Sequence, residues 1–158
     1  MPIVGSFSVM SENKEMFYGD LSDRIHELIE AYDVKLHPQF LPKIAWYFGG
    51  SVELDVFCNI EDIRFFNELP FGICLDSAHC IMAANFFQKN PDEGLKALIP
   101  LAQHIHISDA AGSDGEGVPF GQGEIGTALD LLLKVRVQKV VEQWEGHLNN
   151  FSGFKEAL

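Results

Sequence analysis

Three short apolar runs in this chain end in the same way. Gly72–His79 (GICLDSAH), His104–Asp109 (HIHISD) and Lys139–His147 (KVVEQWEGH) each carry polar, metal-competent side chains out at the C-terminal end of a β-rich stretch. A parallel strand buried on both faces is almost continuously apolar, and α/β proteins collect their chemistry where such strands end. Three such ends, each bearing Asp, Glu or His, point to one shared site.

The rest of the chain supplies alternating strands and helices. Ile3–Val9 reads as a strand, and Asp20 is a good N-cap for a helix whose Leu21, Ile25, Leu28, Ile29 and Tyr32 recur at helical spacing. Val34–Phe40 is the next strand, with Pro38 and Pro42 forcing an irregular exit. A long loop follows to about Asn59. Its Trp46, Tyr47, Phe48, Gly49 and Gly50 combine aromatic bulk with backbone freedom, which suits either a flap over a pocket or an apolar plug. Ser51–Phe57 alternates and reads as a short strand. Asn59 caps a helix over Ile60–Leu69, two helical pieces run over Ile81–Gln88 and Asp92–Gln103, and Ala110–Gly123 is a Gly-rich surface loop. Thr127 caps the helix carrying Leu129, Leu131, Leu132 and Val135, Gln138–Gln143 is the last strand, and Gly153–Leu158 begins a helix. The order β-α-β-α-β-α-β-α-β implies parallel pairing with right-handed crossovers.

Composition limits the function classes. With 158 residues and 47% hydrophobic content, the chain is expected to fold as a single domain, residues 1–158, around one core. A formal net charge of -12 with only 11 Lys and Arg argues against a nucleic-acid partner, since that affinity comes mainly from basic side chains on phosphates. Cys58, Cys74 and Cys80 are odd in number and lack CxxC spacing. There is no apolar run long enough to span a bilayer and no charged-then-apolar leader, so the expected location is the cytoplasm, with free thiols and no membrane partner. Cys74, inside its strand, reads as core filler.

With GICLDSAH, HIHISD and KVVEQWEGH on the page, the chain resembles the later part of a xylose-isomerase-like (sugar phosphate isomerase/epimerase) TIM barrel. In that family an LDxxH strand, an HxHxxD strand and a final Glu-bearing strand surround a divalent metal. The loop DGEGVPFGQGEIG (Asp114–Gly126) and the ending WEGHLNNFSGF (Trp144–Phe154) are similar to the barrel domains associated with N-acetylneuraminate synthase-type proteins of nonulosonic-acid clusters. VGSF (Val4–Phe7) and PQFLPKIAWYFGGS (Pro38–Ser51) extend the similarity over almost the whole chain. The resemblance implies a partial TIM (β/α) barrel of about five parallel strands, matching strands four to eight of a fold that typically has eight. Open edges at both ends would favour a homodimer or a swapped assembly.

The resemblance also assigns residues. Asp76, His106 and Glu142 match the family's metal ligands, and His79 matches a residue that contacts substrate or a second metal. Such a mixed carboxylate and imidazole set suits Mn, Zn, Co or Fe better than Ca. Asp76 reads alternatively as a cap for the following helix, and His79 as a satisfied structural histidine. His104 and His106 share one face of their strand, His106 nearer its end, while Asp109 either orients an imidazole or caps a turn. Glu142, within the apolar VVEQW, is unfavourable to bury unless paired or metal-bound. Glu142 and His79 are the catalytic candidates. Gln39, His79, Trp46, Glu116, Trp144 and His147 are the candidates for substrate contact; for His147, as for Glu145, an ordinary solvated turn is the alternative.

Three departures bear on function. The family's strand-five Glu is replaced by Gln39, which has no general-base chemistry, and a substrate-binding Arg position of the epimerases is Gly112. The Asp-x-His of the endonuclease-like branch reads DGEG here, which disfavours metal-assisted phosphoester hydrolysis. The expected function is a divalent-metal-dependent isomerase or epimerase acting on a sugar or sugar phosphate. The alternative is a non-catalytic sugar-binding or synthase-partner module derived from such a barrel.

Overall fold

The computed structural model describes residues 4–6, 12–47 and 50–156. In chain order the elements are β1 (Val4–Ser6), α1 (Lys14–Tyr32), β2 (Ile44–Tyr47), β3 (Gly50–Glu53), a 3-10 turn (Ile60–Asp62) running into α2 (Ile63–Phe66), and β4 (Ile73–Asp76). Then come α3 (Ser77–Phe86), α4 (Pro91–Leu98), β5 (Ala102–Ile107), β6 (Asp109–Ala111), β7 (Gly115–Val118), α5 (Ala128–Lys134), β8 (Gln138–Val141) and α6 (Leu148–Glu156).

The helix expected after Asp20 begins earlier, at Lys14. Asn13 rather than Asp20 provides the cap, its side chain accepting from Met16 N at 3.1 Å, and the good helix formers of KEM extend the first turn. The strand expected over Gly72–His79 stops at Asp76, whose carboxylate accepts from His79 N and starts α3. His79 therefore lies in the first turn of a helix. At Thr127 the hydroxyl makes no cap bond and instead donates to Asp92.

Three sheets form. β4, β5 and β8 make a parallel sheet in the order β4-β5-β8, with Asp76 beside His106 and His106 beside Val140. Residues 38–40 run parallel to β4 through a single bridge between Gln39 and Cys74, fixed by Phe40 N to Cys74 O and Cys74 N to Pro38 O, both 2.9 Å. β1 does not join this sheet. It pairs in parallel with β3, which pairs antiparallel with β2. The expected run of about five parallel strands is therefore reduced to three plus one bridge, and the sheet does not close into a barrel. Pro38 and Pro42 flank the bridge and remove the backbone donors that a longer ladder would need.

The two faces of the parallel sheet differ in chemistry. Ile73, Leu75, Ile105 and Ile107 point into the core with Ala78, Ile81, Leu95, Leu98 and Leu132, all fully or almost fully buried. The alternate residues Cys74, Asp76, His104 and His106 share the other face. A second part of the same core is aromatic: Phe57 stacks on Phe66 at 5.2 Å, and Tyr18 on Phe65 at 4.8 Å. The Tyr18 hydroxyl donates to Asp62 and accepts from Phe57 N, and Lys14 closes the cluster on the Asp62 carboxylate at 2.7 Å.

The expected Gly-rich loop 110–123 contains a β-hairpin, β6 with β7. Its organiser is Asp109, which is fully buried and accepts four backbone hydrogen bonds: Ala110 N and Ile125 N on Oδ1, Gly121 N and Gly123 N on Oδ2, each 2.9 to 3.0 Å. Gly123 is required here, because a Cβ would run into that carboxylate and Ala110 O. Of the two roles open to Asp109 in the sequence, holding the loop is the one its contacts support. Replacing this buried acceptor with an amide, which presents N–H groups to N–H donors, lowers stability by about 2 kcal/mol or more. Asp109→Asn is accordingly expected to lower the urea midpoint at unchanged m; a midpoint equal to wild type would contradict the assignment.

Candidate metal centre

At the C-terminal end of the parallel sheet, neighbouring elements bring Gln39, Asp76, His79, His106 and Glu142 together. Asp76 is at the centre. Its carboxylate is fully buried: Oδ1 accepts from His79 N at 3.1 Å, and Oδ2 accepts from Gln39 Nε2 at 2.9 Å. His79 Nδ1 is 3.3 Å and His106 Nδ1 3.7 Å from the same Oδ2. Glu142 follows β8 directly, its N–H donating to Ile107 O at 2.9 Å, so that its carboxylate reaches 3.3 Å from His106 Nδ1. Below the cluster, Ser77 Oγ donates to Ser108 O at 2.6 Å and accepts from Ser108 N at 2.9 Å, tying the ends of β4 and β5.

These atoms fit a divalent cation. One ligand atom from each of Asp76, His106 and Glu142 lies within 4.8 Å of the others. Metal bonds of 2.0 to 2.2 Å put adjacent ligand atoms roughly 3 to 3.6 Å apart, and the contacts at 3.3 and 3.7 Å need only small adjustments to reach that. The charge also fits: among the described residues no Lys or Arg pairs with Asp76, Glu116 or Glu142. The buried Lys43 is held instead by Asp55 at 2.5 Å and Glu53 at 3.1 Å. Gln39 donates to Asp76, and its amide nitrogen sits 3.4 Å from His106 Nδ1.

His79 connects the cluster to a cavity of about 290 Å³ lined by His79, Met82, Asp114, Glu116, Trp144 and Ala45, among others. Nδ1 lies 3.1 Å from Phe40 O, a contact that needs the proton on that nitrogen, and Nε2 faces Glu116 Oε1 at 3.3 Å. Glu116 is on β7, within the hairpin that Asp109 holds. Trp144 is exposed, with its ring against Gly117, a residue at φ 72° where a Cβ would clash with the indole.

The substrate-contact candidates therefore separate. Gln39, His79, Glu116 and Trp144 surround the cluster or the cavity. His147 is exposed in the turn before α6 and is not among the residues described as lining the cavity. Trp46 lies on β2 opposite Ser51, and its side chain is outside what is described, as is the Phe48-Gly49 part of the aromatic loop. Met82 and Asp114 carry little signal in the sequence. Met82 follows His79 by one helical turn and Asp114 precedes Glu116 by two residues, spacings that give the only local signal for either. All three cysteines are free and buried. No described helix is long and apolar enough to cross a membrane.

No family model matches the chain, and no curated protein matches it.

The imidazoles feel the acidic surroundings. The Asp76 carboxylate 3.7 Å away, opposed by burial and supported by the Glu142 charge, raises the pKa of His106. Burial opposes the charged form of His79, but Glu116 and Asp76 outweigh it and raise that pKa as well. Because folding raises both values, their stabilising contribution is fully present below the unfolded value of about 6.5 and is lost as pH rises through the folded values. A divalent ion competes with the same protons, so its effect has the opposite sign. Thermal melts across about pH 5 to 8 are expected to give a metal-free Tm contribution that declines with pH and a manganese-induced increase in Tm that grows with pH. A manganese increment that falls with rising pH would contradict coordination by His106.

Proposed function

We propose that the chain is a divalent-metal-dependent isomerase or epimerase acting on a sugar or sugar phosphate, built on an open part of a xylose-isomerase-like barrel. The observation that carries this reading is the convergence of Asp76, His106 and Glu142 at the ends of adjacent parallel strands, beside the cavity that His79 and Glu116 line. Mn, Zn, Co and Fe all suit the donor set. The loop Asp114–Gly126 and the ending Trp144–Phe154 are what link the reading to nonulosonic (sialic-acid-like) sugar metabolism.

When bound, the ion supplies Lewis acidity toward a carbonyl and hydroxyl pair and stabilises negative charge that develops there. The chain's own residues do the rest. With Nδ1–H held by Phe40 O, the His79 Nε2 lone pair takes a proton from a carbon in the cavity and returns it, while Glu116 Oε1 steadies the imidazolium. Glu142, whose side chain is 40% exposed, is the second group able to carry that proton. Gln39 holds Asp76 in place and moves no proton. Met82 and Trp144 give the cavity apolar wall, while Asp114 and Glu116 present acceptors for hydroxyls.

One observation favours the non-catalytic reading: the Gln39 amide turns a donor toward Asp76 where the family's isomerases use a second general base. The test is manganese-loaded protein in heavy water with a panel of aldoses, ketoses and their phosphates, followed by proton NMR at the carbon next to the carbonyl. Exchange is expected, and about 100-fold slower exchange in His79→Gln. Metal binding without exchange of any of these sugars would overturn the isomerase reading in favour of the binding module.

The same reading includes a second copy of the chain. β8 pairs only with β5 among the described residues, leaving one edge of the parallel sheet open with Val140 exposed on it. Sedimentation velocity is expected to give a dimer, by edge pairing or by swapping; a one-chain species at micromolar concentration would contradict it.

A further inference from the structure

The sheet face that carries the metal centre has a second row of ligand-type side chains. Cys74 and Asp76 are two residues apart on β4, His104 and His106 two apart on β5, and the pairs Cys74–His104 and Asp76–His106 are in register. The two rows are therefore separated along the strands by about 6.6 Å, the rise of two residues. Ligand atoms of Cys74, His104 and His106 all lie within 4.8 Å of one another. The two imidazole rings meet edge to face, with centroids 5.1 Å apart.

We infer that Cys74, His104 and His106 form a second cation position, selective for a thiophilic transition metal of the zinc(II) and cobalt(II) class. Two nitrogens and one sulfur with a fourth direction left to solvent is a donor set found in tetrahedral sites that keep an open position. His104 and His106 are half-buried, which leaves this face reachable, and Cys74 is buried. Among the described residues its Sγ has no hydrogen-bond partner, whereas Cys58 Sγ donates to Leu54 O.

A metal held by Cys74 takes the thiolate, so binding displaces the thiol proton to solvent. His106 belongs to both triads. The ligand preference of the ion then decides its position: oxygen-preferring Mn²⁺ takes Asp76 and Glu142, and thiophilic ions take Cys74 and His104. This position does not depend on the isomerase reading.

The test is a cobalt(II) titration of the full chain, read by the near-ultraviolet sulfur-to-cobalt charge-transfer band. Wild type and Glu142→Gln are expected to show the band, and Cys74→Ser to lack it. His104→Gln, which leaves the thiol in place at a less buried position, is expected to bind cobalt about tenfold or more weakly by the same band. That variant keeps the test decisive if Cys74→Ser does not fold. Absence of the band in wild type at saturating cobalt, its persistence in Cys74→Ser, or unchanged affinity in His104→Gln would each overturn the assignment. Loss of the band in Glu142→Gln alone would overturn it too, by making the carboxylate part of the same position.

Discussion

The buried carboxylate of Asp76 is the constraint on which the rest of this structure depends. A carboxylate withdrawn from water needs several partners or a counter-ion. Asp76 finds a backbone N–H, the Gln39 amide and two imidazoles, and no Lys or Arg among the described residues. These partners come from three segments: the stretch before β2, the first turn of α3, where His79 supplies both its N–H and its ring, and β5. One side chain therefore ends β4, starts α3, draws residues 38–40 alongside the sheet, and sets the spacing of the ligand atoms.

A second buried carboxylate does the same for the cavity. Asp109 gathers four backbone donors from the segment 110–125 and so fixes a hairpin that the Gly content alone would leave loose. Glu116 stands opposite His79 because of that hairpin, and Trp144 rests on Gly117 in the same strand. The two acids are linked through the Ser77–Ser108 hydrogen bonds, which join the ends of β4 and β5. The metal-competent cluster and the cavity are thus two outputs of one arrangement of strand ends.

Much of the candidate site was legible because it is local. LDSAH and HIHISD place ligand-type residues at strand ends by alternation alone, and Glu142 stands out as a charge in an apolar run. What the residues did not announce depends on distance in space. HIHI reads equally as a strand covered on both faces or on one, and the outcome, Ile107 and Ile105 inward with His104 and His106 outward, turns on where the helices pack. The segment 34–40 has strand-like residues, but its prolines limit it to one bridge, and β1 finds β3 rather than the parallel sheet. Asp20 looked like a cap because Asp is good at that position; Asn13 won because its side chain reaches Met16 N while Asp20 lies inside the helix. Cys74 is buried, as a core residue should be, but that His104 lies beside it across the strands is not visible in the sequence.

The account rests on Asp76, His106 and Glu142 acting as one cation position. The most direct measurement is metal content by inductively coupled plasma mass spectrometry on gel-filtered protein reconstituted with Mn²⁺, wild type beside Glu142→Ala. The account predicts about one manganese per chain in wild type and its loss in the variant. Equal manganese in both, or none in wild type, would contradict it.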